Sequence, residues 1–504
     1  MIRKILMALI GNLIGISAWA QVTHYYVSPA GDYRLHYQIQ SDGTAGITKW
    51  EVLDATKTHF DIVIPETFTD VQSSWSVSRI IDNAFSTGSD DDRITSIKFP
   101  ESLKSIDASS FSHCTGLTSL MLPAQLETIG NSAFDGCTGL RGNLIIPETV
   151  KTIGEAAFSN CGFDGTLDLP DNLQTLGARA FFKCSSLKGE LVLPETLTEL
   201  AHEVFNACKG FTGTLKIPAS VTKINYAAFN DCIGFTGDLI LPDGITYIGE
   251  EAFRECTGIN GKLHLPASLK YIGNFAFGSN HLSGELVLPE GLETIENIAF
   301  HASLNLHGNI KLPSSLKTLG DGAFRASQKI ESITAAPGMK LTKLGNNVFE
   351  VMPGLRFIDL TDAPEAIPIG STLNRNVASP FYHVYADVMI YLPASVGETG
   401  LAAEQENFVV GNHCSNFVIY DEYITLNGYN TNYNGDVNYK IRHAFTADKA
   451  SYSRLFSGTG CKTVYLPYPA KLPETLVPYV LNKRFDSNGK EYLQFERTPG
   501  NTIA

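Results

Sequence analysis

Seven cysteines recur at one place in a repeated phrase. Cys114, Cys137, Cys161, Cys184, Cys208, Cys232 and Cys256 each stand three residues after a phenylalanine, in segments such as AFSNC (157–161) and AFNDC (228–232). Thiolates can hold zinc, pair as disulfides or act as nucleophiles. A zinc site needs its ligands to converge on one point, usually through Cys-x-x-Cys pairs, whereas one thiol per repeat makes a line. Disulfides need side chains that point at each other, and stacked equivalents run parallel. Later repeats carry Asn280, Ser303 and Ser327 at the same place, which would leave a bridged thiol without its partner. The pattern predicts buried free thiols filling a tight interior corner, with an occasional bridge between neighbours as the alternative. Cys414 and Cys461 lie outside the series.

Other chemistry-bearing groups do not assemble into a pattern. There is no His-Glu-x-x-His, no Gly-x-Ser-x-Gly and no phosphate-binding loop. His264 and His281 fall at non-equivalent places in the repeat, and no pair of carboxylates recurs as a glycosidase pair would. Asp90-Asp91-Asp92 reads as a solvated charge run in a turn, in preference to a calcium site. The segment NTNYNGD (430–436) lacks the terminal glutamate of a calcium loop and reads as a hairpin turning at Asn434-Gly435. LPET (472–475) resembles a sorting signal but lacks the following glycine and an apolar tail. No catalytic residue, metal ligand or cofactor is expected, and the chain reads as a non-enzyme.

The chain has 504 residues, 43% hydrophobic and 18% charged, with a formal net charge of −14 and an isoelectric point near 5.3. This is the composition of a folded protein, and the acidity disfavours nucleic acid or an anionic membrane as partner. Residues 1–20 read as a secretory signal: Arg3 and Lys4, an apolar run from Ile5 to Ile16, then Ala18-Trp19-Ala20. No later stretch approaches the apolar length of a membrane span. The expectation is an exported chain without a transmembrane segment after cleavage, located at the cell surface, secreted or periplasmic.

What positions the cysteines is a repeat. Phenylalanines fall at 85, 111, 134, 158, 181, 205, 229, 253, 277, 300, 324 and 349, at intervals of 23–26 residues. Most are preceded five residues earlier by Ile or Leu, often followed by glycine, as in Ile129-Gly130 and Ile248-Gly249. Between them runs a short apolar alternation ending in proline, such as LDLP (167–170) and LHLP (263–266). A unit this short cannot fold alone but makes one coil of a solenoid, in which neighbours bury each other's apolar edges. The alternation places two aliphatics inward and one residue outward. The proline fits the corner that follows, because it lacks the N–H a ladder needs. The fold expected is an all-β-rich solenoid of about twelve coils of ~24 residues. Its leucine–proline strands would lie aligned in one parallel sheet, with room for a short strand at x-x-Ile-Gly on the return side. Phe134, Phe158, Phe181, Phe205, Phe229, Phe253 and Phe277, with the cysteines from Cys137 to Cys256, form the expected core column.

The composite phrase L-x-x-I-G-x-x-A-F-x-x-C-x-x-L/F-x-x-L-x-L/I-P resembles the BspA-like leucine-rich repeats of bacterial surface proteins, over roughly residues 79–360. The resemblance implies an amino-terminal cap at 21–78, the solenoid at 79–360, capping coils at 361–421 and a small β-sandwich-like module at 422–504, either cut short of a last strand or an unusual variant. It also implies adhesion to host matrix proteins or cells by a host-associated bacterium, without naming a ligand. On the residues alone, binding falls to the outward columns of the strands: Ile145, Thr166, Asp168, Glu190 and Val192, then Thr214, Lys216, Asp238, Ile240, Lys262, His264, Glu285, Val287 and Lys311. In one column, apolar β-branched residues alternate with polar ones every second coil. Strand propensity accounts for exposed Val and Ile, and a mixed face also suits a protein or glycan partner. The alternative role is a scaffold that displays the C-terminal module.

Overall fold

A computed structural model describes residues 24–69, 73–363, 379–385, 387–396, 407–421, 425–426, 429–430, 445–454, 479–487 and 490–497. The secretory-signal segment, the Asn434-Gly435 turn and LPET lie outside these residues. The chain divides into two units, Met1–Leu197 and Thr198–Ala504. Each is a β-solenoid, and the helical content among the described residues is a single 3-10 turn at Ala394–Val396.

The first unit begins with antiparallel strands. His24–Val27 pairs with Tyr33–Ile39, which pairs with Ala45–Val52. Ala45–Val52 then pairs in parallel with Ser74–Ile80, and from there the ladder stays parallel through Ser105–Ile106, Thr128–Ile129, Thr152–Ile153 and Thr175–Leu176. An antiparallel entry covers the strand edge that an uncapped first coil would expose. Trp50, Phe60 and Phe68 fill the space beneath it.

In the second unit the same ladder runs through Glu199–Leu200, Lys223–Ile224, Tyr247–Ile248, Tyr271–Ile272, Thr294–Ile295, Thr318–Leu319 and Lys343–Leu344, all parallel. The continuous sheet therefore sits on the x-x-Ile-Gly side, where only a short strand was expected. The leucine–proline segments pair less evenly: Leu144–Ile145 with Leu167–Asp168, and Leu239–Ile240 with Leu263–His264. Their length is limited at both ends, because a left-handed glycine such as Gly142 (φ 80°) or Gly237 (φ 82°) enters and proline leaves. Later coils lengthen on this side. Ser283–Glu285, Asn305–Leu312, Lys329–Ala335, Phe357–Asp359, Met389–Leu392 and Phe408–Val410 pair successively in parallel. The direction reverses only at Val410 opposite His413, and His413–Asp421 then pairs in parallel with Thr446–Arg454. Further along, Tyr479–Ser487 and Lys490–Arg497 form an antiparallel hairpin.

The interior of each unit is a file of phenylalanines with no solvent exposure. In the first unit, Phe111, Phe134, Phe158 and Phe181 follow one another with ring centroids 5.2, 5.4 and 5.6 Å apart and nearly parallel planes. In the second, Phe205, Phe229, Phe253 and Phe277 stack at 5.7, 5.6 and 5.6 Å. Offset aromatic stacking adds to the area each ring buries. Phe381 extends the file, its ring 5.9 Å from Phe349.

The corner around each phenylalanine has an unusual backbone. The residues two before and two after it take left-handed φ angles, as at Ala156 (53°) and Asn160 (53°), or Ala227 (50°) and Asp231 (59°). Ile298 (50°) and Val351 (54°) do so despite branching at Cβ, where this conformation is least tolerated. The conformation is held because it aims every second N–H at the next coil. The Ala227, Phe229 and Asp231 N–H groups donate to the Glu250, Ala252 and Arg254 carbonyls at 2.8, 2.9 and 2.9 Å. The turn thus satisfies its buried backbone groups from coil to coil, as a strand would.

Candidate binding surface

The cysteine column explains itself once the coils are stacked. Cys114, Cys137, Cys161, Cys184, Cys208, Cys232, Cys256 and Cys414 are buried and unbridged. Most also make a polar contact. The Cys137, Cys161 and Cys184 thiols donate to the carbonyls of Phe111, Phe134 and Phe158 at 3.1, 3.0 and 2.9 Å. Cys232 and Cys256 donate to Phe205 and Phe229, both at 3.0 Å. Where the cysteine is replaced, Asn280 donates to Phe253 at 2.9 Å and Ser327 to Phe300 at 3.2 Å. The position therefore takes a small side chain that in most coils donates to a buried carbonyl of the preceding coil, whereas the Ser303 hydroxyl, buried at the same place, meets no partner. Sequence reasoning saw the size requirement and missed the donor, although Asn and Ser at the same place were its trace.

Burial pushes the Cys184 and Cys256 thiols up to about 12. It raises Cys114, Cys161 and Cys232 as well. Nucleophilic or metal-binding chemistry needs the thiolate, which these sites suppress. Among the described residues no group of three or more His, Cys, Asp or Glu is placed to hold a metal ion. Asp91 is not part of a solvated run: its side chain is 5% exposed and grips the Arg93 guanidinium at 2.6 Å, which holds the carboxyl below its ordinary range. Arg93 in turn lies 5.2 Å from the Trp50 ring, so this triad belongs to the cap. Asp90 meets His113 at 2.9 Å in the open.

What remains is surface, and it differs from ordinary surface. In the first unit Ile145 and Val192 are 60% and 66% exposed, flanked by exposed Thr166, Asp168 and Glu190. In the second, Ile240 and Val287 are 58% and 66% exposed, and Thr214, Lys216, Asp238, Lys262, His264, Glu285 and Lys311 are exposed around them. The structure thus puts every one of these residues on the outer side, with the flanking aliphatics buried in most coils, as at Leu239 (0%) and Leu241 (4%), and Leu265 half-buried. Ladder pairing sets Ile240 beside His264. Oppositely charged groups here meet only loosely, His264 with Asp238 at 3.9 Å and Lys311 with Glu290 at 3.9 Å. Exposed pairs at that range hold little energy.

The opposite ladder carries the stacked pair Tyr247 and Tyr271, with centroids 4.8 Å apart. Burial, followed by the nearby Glu296, moves the Tyr271 hydroxyl up to about 12. Nearby, Arg254 lies 4.9 Å from the Phe275 ring, which folds over Gly278.

Comparison with known proteins places the repeat. The family described as BspA type leucine rich repeat region matches in six copies, over residues 65–188, 104–236 and 234–356. Among solved structures, a leucine-rich repeat protein from Bacteroides ovatus is 18% identical, with a TM-score of 0.50 over 84% of this chain and 98% of that one. The pneumococcal vaccine antigen PcpA is 18% identical over 78% of this chain and 99% of its own, with a TM-score of 0.44. A leucine rich cell surface protein from Faecalibacterium prausnitzii is 20% identical over 61% and 94%, with a TM-score of 0.31. No curated protein matches the sequence. At these identities the likeness to the Bacteroides ovatus structure establishes the fold. No helix among the described residues is long and apolar enough to cross a membrane.

Proposed function

Because the chain belongs to the BspA-type leucine-rich repeat family, we propose that it is an exported surface protein that binds a protein or glycan partner through the outer face of its leucine–proline strands. The observation that carries this reading is the exposure of Ile145, Val192, Ile240 and Val287 at 58–66%, in a column that alternates with the polar Asp168, Lys216, His264 and Lys311. Apolar side chains held in water by rigid strands lose nothing on docking and gain the area they bury. The N-terminal signal pattern supports export, and adhesion to host matrix is the role the family suggests.

The test is a screen of the full-length protein against matrix proteins and glycans, run beside an Ile240→Asp/Val287→Asp variant. Partners captured by the wild type should be lost by the variant. Equal capture by both would show that the face is not the binding surface.

A further inference from the structure

The outer face of the first unit carries an excess of negative charge beside exposed apolar side chains. Its coils present Val63, Lys98, Met121, Ile145 and Asp168 in turn at the centre of their proline-ended segments. Three of these centres are apolar and stand in water, Val63 at 48%, Met121 at 83% and Ile145 at 60% exposed. The residue after the proline is acidic in four of the five coils, as Glu66, Glu101, Glu148 and Asp171. With Asp61 and Asp168 this makes six exposed carboxylates against one lysine, Lys98.

Structural duty explains part of the excess. Glu66 and Glu148 accept the Glu101 and Asp171 N–H groups at 2.9 and 3.3 Å, and Asp61 accepts the Thr95 hydroxyl at 3.1 Å. The Glu101, Asp168 and Asp171 side chains have no partner among the described residues. Cations that border the face are engaged elsewhere: Lys57 with Asp32, Arg93 with Asp91, and Arg141 with the Thr138 and Leu140 carbonyls. The charge of Lys188 acts on Asp164, at the preceding corner. On the opposite side of the same coils the charges balance, with Lys104, Glu127 and Lys151 in one column and Lys104 3.4 Å from Glu127. The negative excess therefore belongs to this face and not to the acidity of the chain at large.

Hydrogen bonds tie these coils in register. Phe60–Val63 pairs with Ile94–Lys98, the Thr118 N–H donates to the Thr95 carbonyl at 3.2 Å, and the Arg141 N–H donates to the Thr118 carbonyl at 3.0 Å. Leu144–Ile145 then pairs with Leu167–Asp168. With coils about 4.8 Å apart, Met121 and Ile145 are direct neighbours and Asp168 follows at the next step. The acidic column runs parallel to this line, three residues further along each segment and so within about 10 Å. An apolar line beside an anionic line fits a segment with aliphatic side chains along one edge and cations along the other. Covering Met121 and Ile145 supplies apolar burial, and a cation that reaches Glu101, Asp168 or Asp171 breaks no existing ion pair. A neutral or acidic occupant would leave those carboxylates desolvated and unpaired.

Resting on the proposed use of this face, we infer that the first unit docks a basic polypeptide segment. It would lie along the stack with its aliphatic edge over Met121 and Ile145 and its lysines or arginines on the carboxylate column.

The probe is a fluorescent peptide of leucine and lysine with its leucines along one edge. One companion peptide replaces every lysine by glutamate, and another every leucine by serine. Anisotropy is read on the full-length protein at physiological salt, where screening beyond about 8 Å leaves only nearby charges to act. The leucine–lysine peptide should bind at least about tenfold tighter than either companion. Asp168→Lys/Asp171→Lys and Met121→Ser/Ile145→Ser should each weaken it at least about tenfold. Glu127→Lys/Glu155→Lys, the same change in net charge on the Ile-Gly side, should leave it unchanged. The circular dichroism of every variant should stay that of the wild type. Equal weakening by the two charge reversals, a serine peptide that binds as well, or no binding would overturn the inference. Matrix or glycan partners lost by Ile240→Asp/Val287→Asp while the leucine–lysine peptide fails to bind would sink this inference and leave the surface reading standing. Partners indifferent to that variant and to Met121→Ser/Ile145→Ser would remove the surface reading as well.

Discussion

Phe229→Ala tests the core file directly. Phe229 is fully buried, stacks on Phe205 and Phe253 at 5.7 and 5.6 Å, and meets Phe235 edge-on at 6.2 Å. Truncating a buried phenylalanine costs about 3–5 kcal/mol through lost transfer energy and the cavity left behind. Three broken ring pairs, at about 0.5–1.5 kcal/mol each, put this site toward the upper end. The neighbouring coils are held from both sides by the 2.8–3.0 Å corner hydrogen bonds and cannot collapse into the space. Urea unfolding followed by circular dichroism reads the loss, with the slope checked because repeat arrays can unfold in parts. Asp168→Ala, an exposed substitution, should stay within about 0.5 kcal/mol. A loss for Phe229→Ala as small as that of Asp168→Ala would refute the stacked interior.

Further outcomes follow from the same geometry. Cys232→Ser should be tolerated better than Cys232→Val, because valine leaves the Phe205 carbonyl unanswered at a cost of about 1–3 kcal/mol; thermal melts of the two variants rank them. The eight described cysteines, all buried, should resist maleimide labelling at neutral pH and label fully in urea, since burial lifts Cys184 and Cys256 to about 12; peptide mapping of the labelled sites reads them apart from Cys461. For the same reason stability should fall with rising pH. A thiol held above its unfolded value of about 8.5 contributes fully below that pH and loses its contribution progressively up to about 12, which denaturant midpoints between neutral and alkaline pH can follow. Gly258→Ala should destabilise, because a Cβ there would come 2.1 and 2.3 Å from the Ile233 and Phe235 carbonyl oxygens; its urea midpoint should fall below that of the wild type.

The repeat made the solenoid legible because each coil must satisfy the same packing problem, so phenylalanine spacing and the leucine–proline alternation recur together. The inward and outward sorting of the strand residues followed from period-two geometry. Three features were not legible. The left-handed corners are filled by Ser, Ala, Glu, Phe, Ile and Val as well as by Asn and Gly, because inter-coil hydrogen bonds override local preference. The continuity of the Ile-Gly ladder is set by the corners on either side of it and not by strand propensity over two residues. Phe381 escaped because it follows Phe349 by 32 residues, without the Ala-Phe phrase. It is recognised only by its ring contact and by the Asn347 N–H that reaches the Ser379 carbonyl at 2.7 Å.

The two-coil alternation on the second unit's face has a consequence for how such a gene can change length. One central coil can follow another as far as the interior is concerned, since from Phe111 to Phe324 each hands on the same phenylalanine, a small side chain three residues later and the same corner. Duplicating or deleting a single coil would therefore leave a protein that folds, yet would shift every later apolar centre onto a former lysine or histidine position. Changes by pairs would keep both. Stability constrains the repeat unit, whereas the surface pattern constrains the parity of the coil count.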